Sequence, residues 1–303
     1  MSKQQMTSRT VSRNAIAQFA ELTDDYSRIH LDFDYARSVG LKDNFAHGLL
    51  GVSWATGWVS QIHSLNGNPA FDMPTAIECN FGSPVFCNDE LSVNVLESSL
   101  DPLESTSKKR FNFSLENQGG KNTSHGSITF DSVRLLTNEQ EPKKLLPSPF
   151  TPNPNAIYYA ENMYQDGPRG SCMGHTFSEK EVATYIEYTG ERADAYKNKV
   201  KTFYLVPPLL VFCRAFSSWL KEFTKVQTPD GSFPGHIKDT FQQHRSVVIG
   251  EKIDTCHQVT GFRESNSRPG MALITITIQC SNQRNEMVLS GSVLLMMQST
   301  PSG

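Results

Sequence analysis

The chain has 303 residues, 38% hydrophobic and 19% charged, with a net charge of −3 at neutral pH. At about 100–200 residues per domain that length implies two domains or one double-sized one, and the small net charge gives nucleic acid no electrostatic footing. The start, MSKQQMTSRTVSRNAIAQF, lacks the apolar run of a signal peptide, no window reaches the ~20 apolar residues of a membrane span, and the QSTPSG ending is no peroxisomal address, so a cytoplasmic protein is expected.

The cysteines, Cys79, Cys87, Cys172, Cys213, Cys256 and Cys280, are scattered without a Cys-x-x-Cys pair. They read as reduced thiols packed as small apolar groups. The histidines form no His-x-x-x-His helix pair and have no nearby cysteine cluster, so neither a metal nor another cofactor is expected.

In chain order, Ser12 stands where a helix N-cap belongs, and Ile16, Phe19 and Ala20 follow at helical spacing. That helix ends in an acidic turn, Leu22-Thr23-Asp24-Asp25. Asp25 precedes His30 by five positions, and His47-Gly48 then opens the long apolar segment Leu49–Ile62, long enough for a buried helix of about four turns. A carboxylate and a neutral imidazole that share one water can orient it, take its proton and return one. The backbone N–H of a glycine opening a helix can donate to a carbonyl oxygen that gains charge in a transition state. Taken singly, Asp25 would be a turn cap, His30 a satisfied core histidine and Gly48 a turn glycine; together they point to chemistry beside a carbonyl.

The segment resembles the hydratase motif of MaoC-like, (R)-specific enoyl-CoA hydratases: Asp-x-Asn-Pro-(Ile/Leu)-His-x-Asp, an alanine-containing helix, then Ala/Val-His-Gly-(Met/Leu). The matching residues are Asp25, Ile29, His30, Asp32, Ala36, Ala46, His47, Gly48 and Leu49, with Ser27-Arg28 where the family usually carries Asn-Pro. The resemblance implies that Asp25 and His30 are catalytic, that the Gly48 amide is the oxyanion donor, and that His47 shapes the turn before it. Thr56 falls where the resembling hydratases carry a small hydroxyl residue. It would either support His30 or bond its own helix backbone. Arg28 is read as a weak candidate contact for a carrier phosphate, or else as a solvated surface charge.

Beyond the motif, Phe111, Phe113 and Leu115 alternate with polar residues, as Ile274, Ile276 and Ile278 do later, which is the pattern of strands with one buried face. The chain repeats itself in order. Thr10-Val-Ser-Arg is answered by Thr176-Phe-Ser-Glu, Leu49–Ile62 by Leu209–Phe223, and Gly126-Ser127-Ile128 by Gly291-Ser292-Val293. Each copy reads as helix, long apolar helix and antiparallel meander, an arrangement satisfied by a curved sheet wrapped round the long helix. The expected class is therefore α+β, and the resemblance names it a double hot dog. Two such sheets placed edge to edge would cover each other's exposed strands. Residues 1–140 are read as the catalytic domain, 141–172 as a proline-rich linker, and 173–303 as the second domain.

With the helix–turn segments held in register at an offset of 166 positions, Glu191 faces Asp25 and Tyr196 faces His30. Six positions are then missing, so Pro207-Pro208 faces His47-Gly48. Proline has no N–H to offer an oxyanion. The second copy is thus expected to be catalytically degenerate and, by the resemblance, widened to receive an acyl chain. The implied reaction is the addition of water to a trans-2-enoyl thioester, or its removal from a (3R)-3-hydroxyacyl thioester. The implied enzyme is a hydro-lyase acting on acyl-CoA or acyl carrier protein thioesters, in fatty-acid or polyketide metabolism. A hot-dog acyl thioesterase and a non-catalytic acyl-binding or assembly partner remain as alternatives, and a homodimer stays open because a double hot dog already contains a pseudo-dimer interface.

Overall fold

The computed structural model describes residues 4–5, 8–65, 73–98, 108–131, 145, 150–167, 174–197, 204–229 and 234–299. Helix α1 (Arg13–Thr23) begins where the Ser12 side chain accepts the Ala15 N–H and ends at Asp24, which takes the left-handed conformation. Its counterpart α6 (Glu179–Thr189) begins at Ser178, whose side chain accepts the Glu181 N–H, and ends at left-handed Gly190. Ser12 and Ser178, like Asp24 and Gly190, are 166 positions apart, so the repeat holds down to the caps.

The long apolar segments form α4 (Gly48–Leu65) and α7 (Pro208–Phe223). Ala and Gly along α4 let it sink into its surroundings. A Cβ on Gly57 would stand 2.0 Å from the Thr189 carbonyl oxygen, so α4 crosses the end of α6 backbone to backbone.

Strands β3 (Met73–Phe81), β4 (Glu90–Ser98), β5 (Lys108–Asn117) and β6 (Asn122–Asp131) belong to the first copy. In the second they are answered by β8 (Gly235–Gln243), β9 (Lys252–Glu264), β10 (Met271–Asn282) and β11 (Met287–Gln298). Short edge strands β1 (Gln4–Gln5) and β2 (Arg9–Thr10) pair with β4, and β7 (His175–Thr176) pairs with β9. One sheet results, ordered β1-β4-β5-β6-β3-β8-β11-β10-β9-β7, the second half mirroring the first. The halves join where β3 pairs antiparallel with β8, from Ala76 opposite Gln242 to Asn80 opposite Lys238. Two sheet edges that would otherwise expose unpaired amides are closed by this contact.

Inside the segment read as a linker, the described residues include a helix, α5 (Ala160–Asp166), whose Ala160 and Met163 are buried against β9 and β10. It fits between Pro154 and Pro168, short enough for neither proline to interrupt it. No disulfide joins Cys79, Cys87, Cys213, Cys256 or Cys280 to one another, and Cys172 lies outside the described residues. Among the described residues no helix is long and apolar enough to cross a membrane.

Candidate active site

The turn after α1 delivers Asp25. Asp24 is ion-paired to Lys221 and to Arg214 of α7, its oxygen 3.6 Å from the Arg214 guanidinium, so the turn is tied to the second half of the chain. The Asp25 carboxylate is buried, and its Oδ1 accepts from the Ser27 N–H at 3.1 Å and the Ser27 hydroxyl at 2.6 Å. Ser27 therefore takes over the stiffening expected of the family's Asn-Pro. Oδ2 is left to face the imidazoles, 3.8 Å from His47 Nε2. Burial pushes the carboxyl up, but His47, His30 and the Ser27 donors together hold it below the usual carboxylate range.

His30 sits in the short helix α2 (Arg28–Leu31), which Asn44 braces by donating to the Ile29 carbonyl at 3.2 Å. Its Nδ1–H donates to the Phe45 carbonyl at 2.7 Å, which leaves Nε2 unprotonated in the neutral ring. Burial lowers its basicity, and Asp25 only partly restores it. His47 is buried 3.8 Å from His30, ring centre to ring centre, and its Nε2–H donates to the Asp25 carbonyl at 2.9 Å. Burial and the neighbouring His30 push it down to about 3, so it is a neutral tether for the Asp25 backbone. The ligand-type atoms of Asp25, His30 and His47 lie within 4.8 Å of one another. Two acceptors that far apart can both reach one water at about 2.8 Å. The same closeness would suit a cation, although each ring already commits one nitrogen to a backbone carbonyl.

Gly48 opens α4 immediately beyond His47, where the amide has no intrahelical partner by position. The aromatic edge of Phe81 fixes the residue type, since a Cβ on Gly48 would stand 2.9 Å from Phe81 Cε1. Asp25, His30, His47 and Gly48 all line one cavity of about 670 Å³. The second half adds apolar side chains to the same lining, Phe216, Leu220 and Phe223 of α7 and Leu295 of β11, beside polar ones that include Ser217, Thr224 and His236.

The other expected residues fall elsewhere. Thr56 is fully buried and donates to the Val52 carbonyl at 2.9 Å; it does not line the cavity, so of its two readings the helix-backbone bond is the one present. Arg28 lines the mouth, its exposed guanidinium bonded to Asp32 at 2.8 Å and lying 4.5 Å above the Tyr35 ring. Glu191 and Tyr196 hydrogen-bond to each other in the core and are not in the cavity wall. Burial pushes Glu191 up to about 7 and Tyr196 well above the usual phenol range. Pro207 and Pro208 cap and open α7, where Gly48 opens α4.

A family model described as "MaoC like domain" matches residues 1–117. This stretch is a MaoC-like domain. The MaoC-like domain supplies Asp25, His30, His47 and Gly48, and the second half supplies Phe216, Leu220, Phe223 and Leu295 to the same cavity. The complete chain is similar to a putative MaoC domain protein dehydratase from Chloroflexus aurantiacus, with a TM-score of 0.69 at 13% identity over 99% of this chain and 96% of that one. A conserved hypothetical protein from Mycobacterium tuberculosis, described as having a double hot-dog fold, gives 0.63 at 12% identity over 98% and 96%. The peroxisomal multifunctional enzyme type 2 of Drosophila melanogaster gives 0.57 at 12% over 97% of this chain but 48% of its own. At such identities the likeness establishes the fold, a double hot dog. No curated protein sequence matches the chain significantly.

Sequence reasoning missed Ser27, Phe81 and a carboxylate–imidazole pair, His236 and Asp239, of which His236 lines the same cavity. The available signal was Asp239 at a core-facing position of β8, two residues before buried Phe241.

Proposed function

We propose that this protein is a hydro-lyase that adds water across the C2=C3 bond of a trans-2-enoyl thioester or removes it from the (3R)-3-hydroxyacyl thioester, with catalysis confined to the MaoC-like half. One observation carries the reading: a carboxylate held ionised, an imidazole with one unprotonated nitrogen and a helix-opening glycine line a single cavity that also carries apolar side chains of the second half. Asp25 Oδ2 and His30 Nε2 would hold one water against C3. The Ser27 donors and the imidazoles hold Asp25 ionised, and burial holds His30 neutral, so each offers the water an acceptor. As the water oxygen bonds to C3, one proton passes to the pair and the π electrons of C2=C3 shift toward the thioester carbonyl. The Gly48 N–H, at the positive end of α4, would steady the oxygen as it becomes enolate-like. Return of one proton to C2 on the same face completes the addition, with nothing gained or lost but water. The apolar side chains of α7 support an acyl chain running into the second half, and Arg28 at the mouth supports a phosphate-bearing carrier, CoA or acyl carrier protein.

Crotonyl-CoA tests the reading. Loss of the conjugated enoyl thioester absorbance without release of free thiol is the expected result. Thiol release would identify a thioesterase, and neither change, on crotonyl-CoA and on longer enoyl-CoAs alike, would leave a binding protein.

A further inference from the structure

Among the polar side chains of the cavity lining that hydration leaves unused, His236 is paired to a buried carboxyl. In β8, simple alternation would send His236 and Asp239, three residues apart, to opposite faces. The pairing with β11 is shifted, however: Lys238 faces Leu294 while His236 faces Leu295, so Ile237 is an extra residue. This bulge brings His236 to the face of Asp239. The two side chains bond, His236 Nε2 lying 2.6 Å from Asp239 Oδ1. The imidazole is held between Phe81 and Phe216, its centre 4.4 Å and 5.4 Å from theirs, and it lines the cavity.

Asp239 is 1% exposed, and its Oδ2 has no partner among the described residues. Burial pushes this carboxyl up, with His236 working against the shift. A buried carboxyl lacking a partner is costly to the fold. An apolar side chain in place of His236 would suit a plain hydrocarbon chain, as Leu220 and Phe223 of the same lining would. His236 and His30 line the same cavity. With Nε2 committed to Asp239, Nδ1 has no protein partner among the described residues. In the neutral ring with its N–H on Nε2, Nδ1 accepts; in the other neutral tautomer Nδ1–H donates, and the Nε2–Asp239 bond then needs a second proton, carried by the carboxyl.

We propose that His236, oriented by Asp239, binds a hydroxyl or carbonyl oxygen carried on the acyl chain beyond C3, so that the site prefers oxygenated acyl thioesters to plain hydrocarbon ones. This rests on the reading of the cavity as an acyl-thioester site. The test is calorimetric titration of the full chain with hexanoyl-CoA and with a hydroxyhexanoyl-CoA bearing its hydroxyl on the carbon next to the terminus. Both ligands are saturated and undergo no hydration. Wild type is expected to bind the hydroxylated ligand at least about fivefold more tightly, the net worth of one hydrogen bond. In His236→Phe the ratio of the two affinities should fall to about one, whatever the affinity for hexanoyl-CoA itself. Equal affinities in wild type, a preference that survives His236→Phe, or binding of neither ligand would overturn the proposal. Should His236→Phe fail to fold, the wild-type comparison still decides. Failure of the hydratase reading shows separately, as absent turnover of crotonyl-CoA by a protein that still discriminates between the two ligands.

Discussion

Gly48→Ala separates the position of the oxyanion amide from its presence, because alanine keeps the N–H. A Cβ at this site would lie 2.9 Å from Phe81 Cε1 and 3.2 Å from both Cδ1 and Cζ. Carbon atoms rest at about 3.5–4.0 Å, so ring and helix start must separate by roughly 0.5–1 Å. The ring has little room to retreat, since its centre is 4.4 Å from that of His236. The start of α4 therefore moves, and the amide moves with it. A misplacement of about 1 Å can cost on the order of a hundredfold in rate, so kcat on crotonyl-CoA should fall about 10- to 100-fold. Helix propensity works the other way, alanine being favoured over glycine by about 1 kcal/mol, and the melting temperature should not fall in proportion. Phe81→Leu in the same chain removes the obstructing ring atoms and should recover about tenfold of the loss. Unimpaired turnover in Gly48→Ala, or a loss that Phe81→Leu leaves untouched, would refute the assignment of Gly48.

Ser27→Ala removes the hydroxyl 2.6 Å from Asp25 Oδ1 and should raise the carboxyl's pKa, moving the acid limb of the kcat/KM profile to higher pH; an unmoved limb would show that Ser27 does not tune Asp25. Thr56→Val should leave kcat essentially unchanged, since that hydroxyl is spent on the Val52 carbonyl; a large loss with the fold intact would return Thr56 to the site. Glu191→Gln should be catalytically silent yet alter stability with pH. Glu191 is held near 7 in the fold against about 4.5 for an ordinary glutamate, so between these values the unfolded chain releases the proton first and stability falls as pH rises. The amide cannot ionise, so the melting temperature of Glu191→Gln should gain on wild type from about pH 5 to pH 8. Parallel curves would contradict the burial argument.

The helices and the motif were legible because their signals are local. Ser12 and Ser178 fix the starts of α1 and α6, and Leu49–Ile62 could hardly be anything but a buried helix. The alternation of Phe111, Phe113 and Leu115 marked β5 in the same way. Strands β3 and β8, which join the halves, left almost no trace. Their union is a backbone ladder, and backbone hydrogen bonds have no sequence signature; around it lie Pro74, Glu78, Lys238 and Asp239, with Ile77 and Phe241 as the few buried apolar markers. For the same reason the bulge at Ile237, and with it the placement of His236, could not be read from spacing. Within the site, residue types announced Asp25, His30 and Gly48, whereas Ser27 became visible only once the turn after α1 had folded its hydroxyl onto the carboxylate.

The most direct measurement is hydration of crotonyl-CoA by wild type, Asp25→Asn and His30→Ala, with circular dichroism to show that each chain is folded. A shared water predicts that either substitution lowers turnover by at least about a hundredfold, the upper part of general acid–base assistance being lost whichever partner goes. Folded variants that both turn over at near wild-type rates would contradict it.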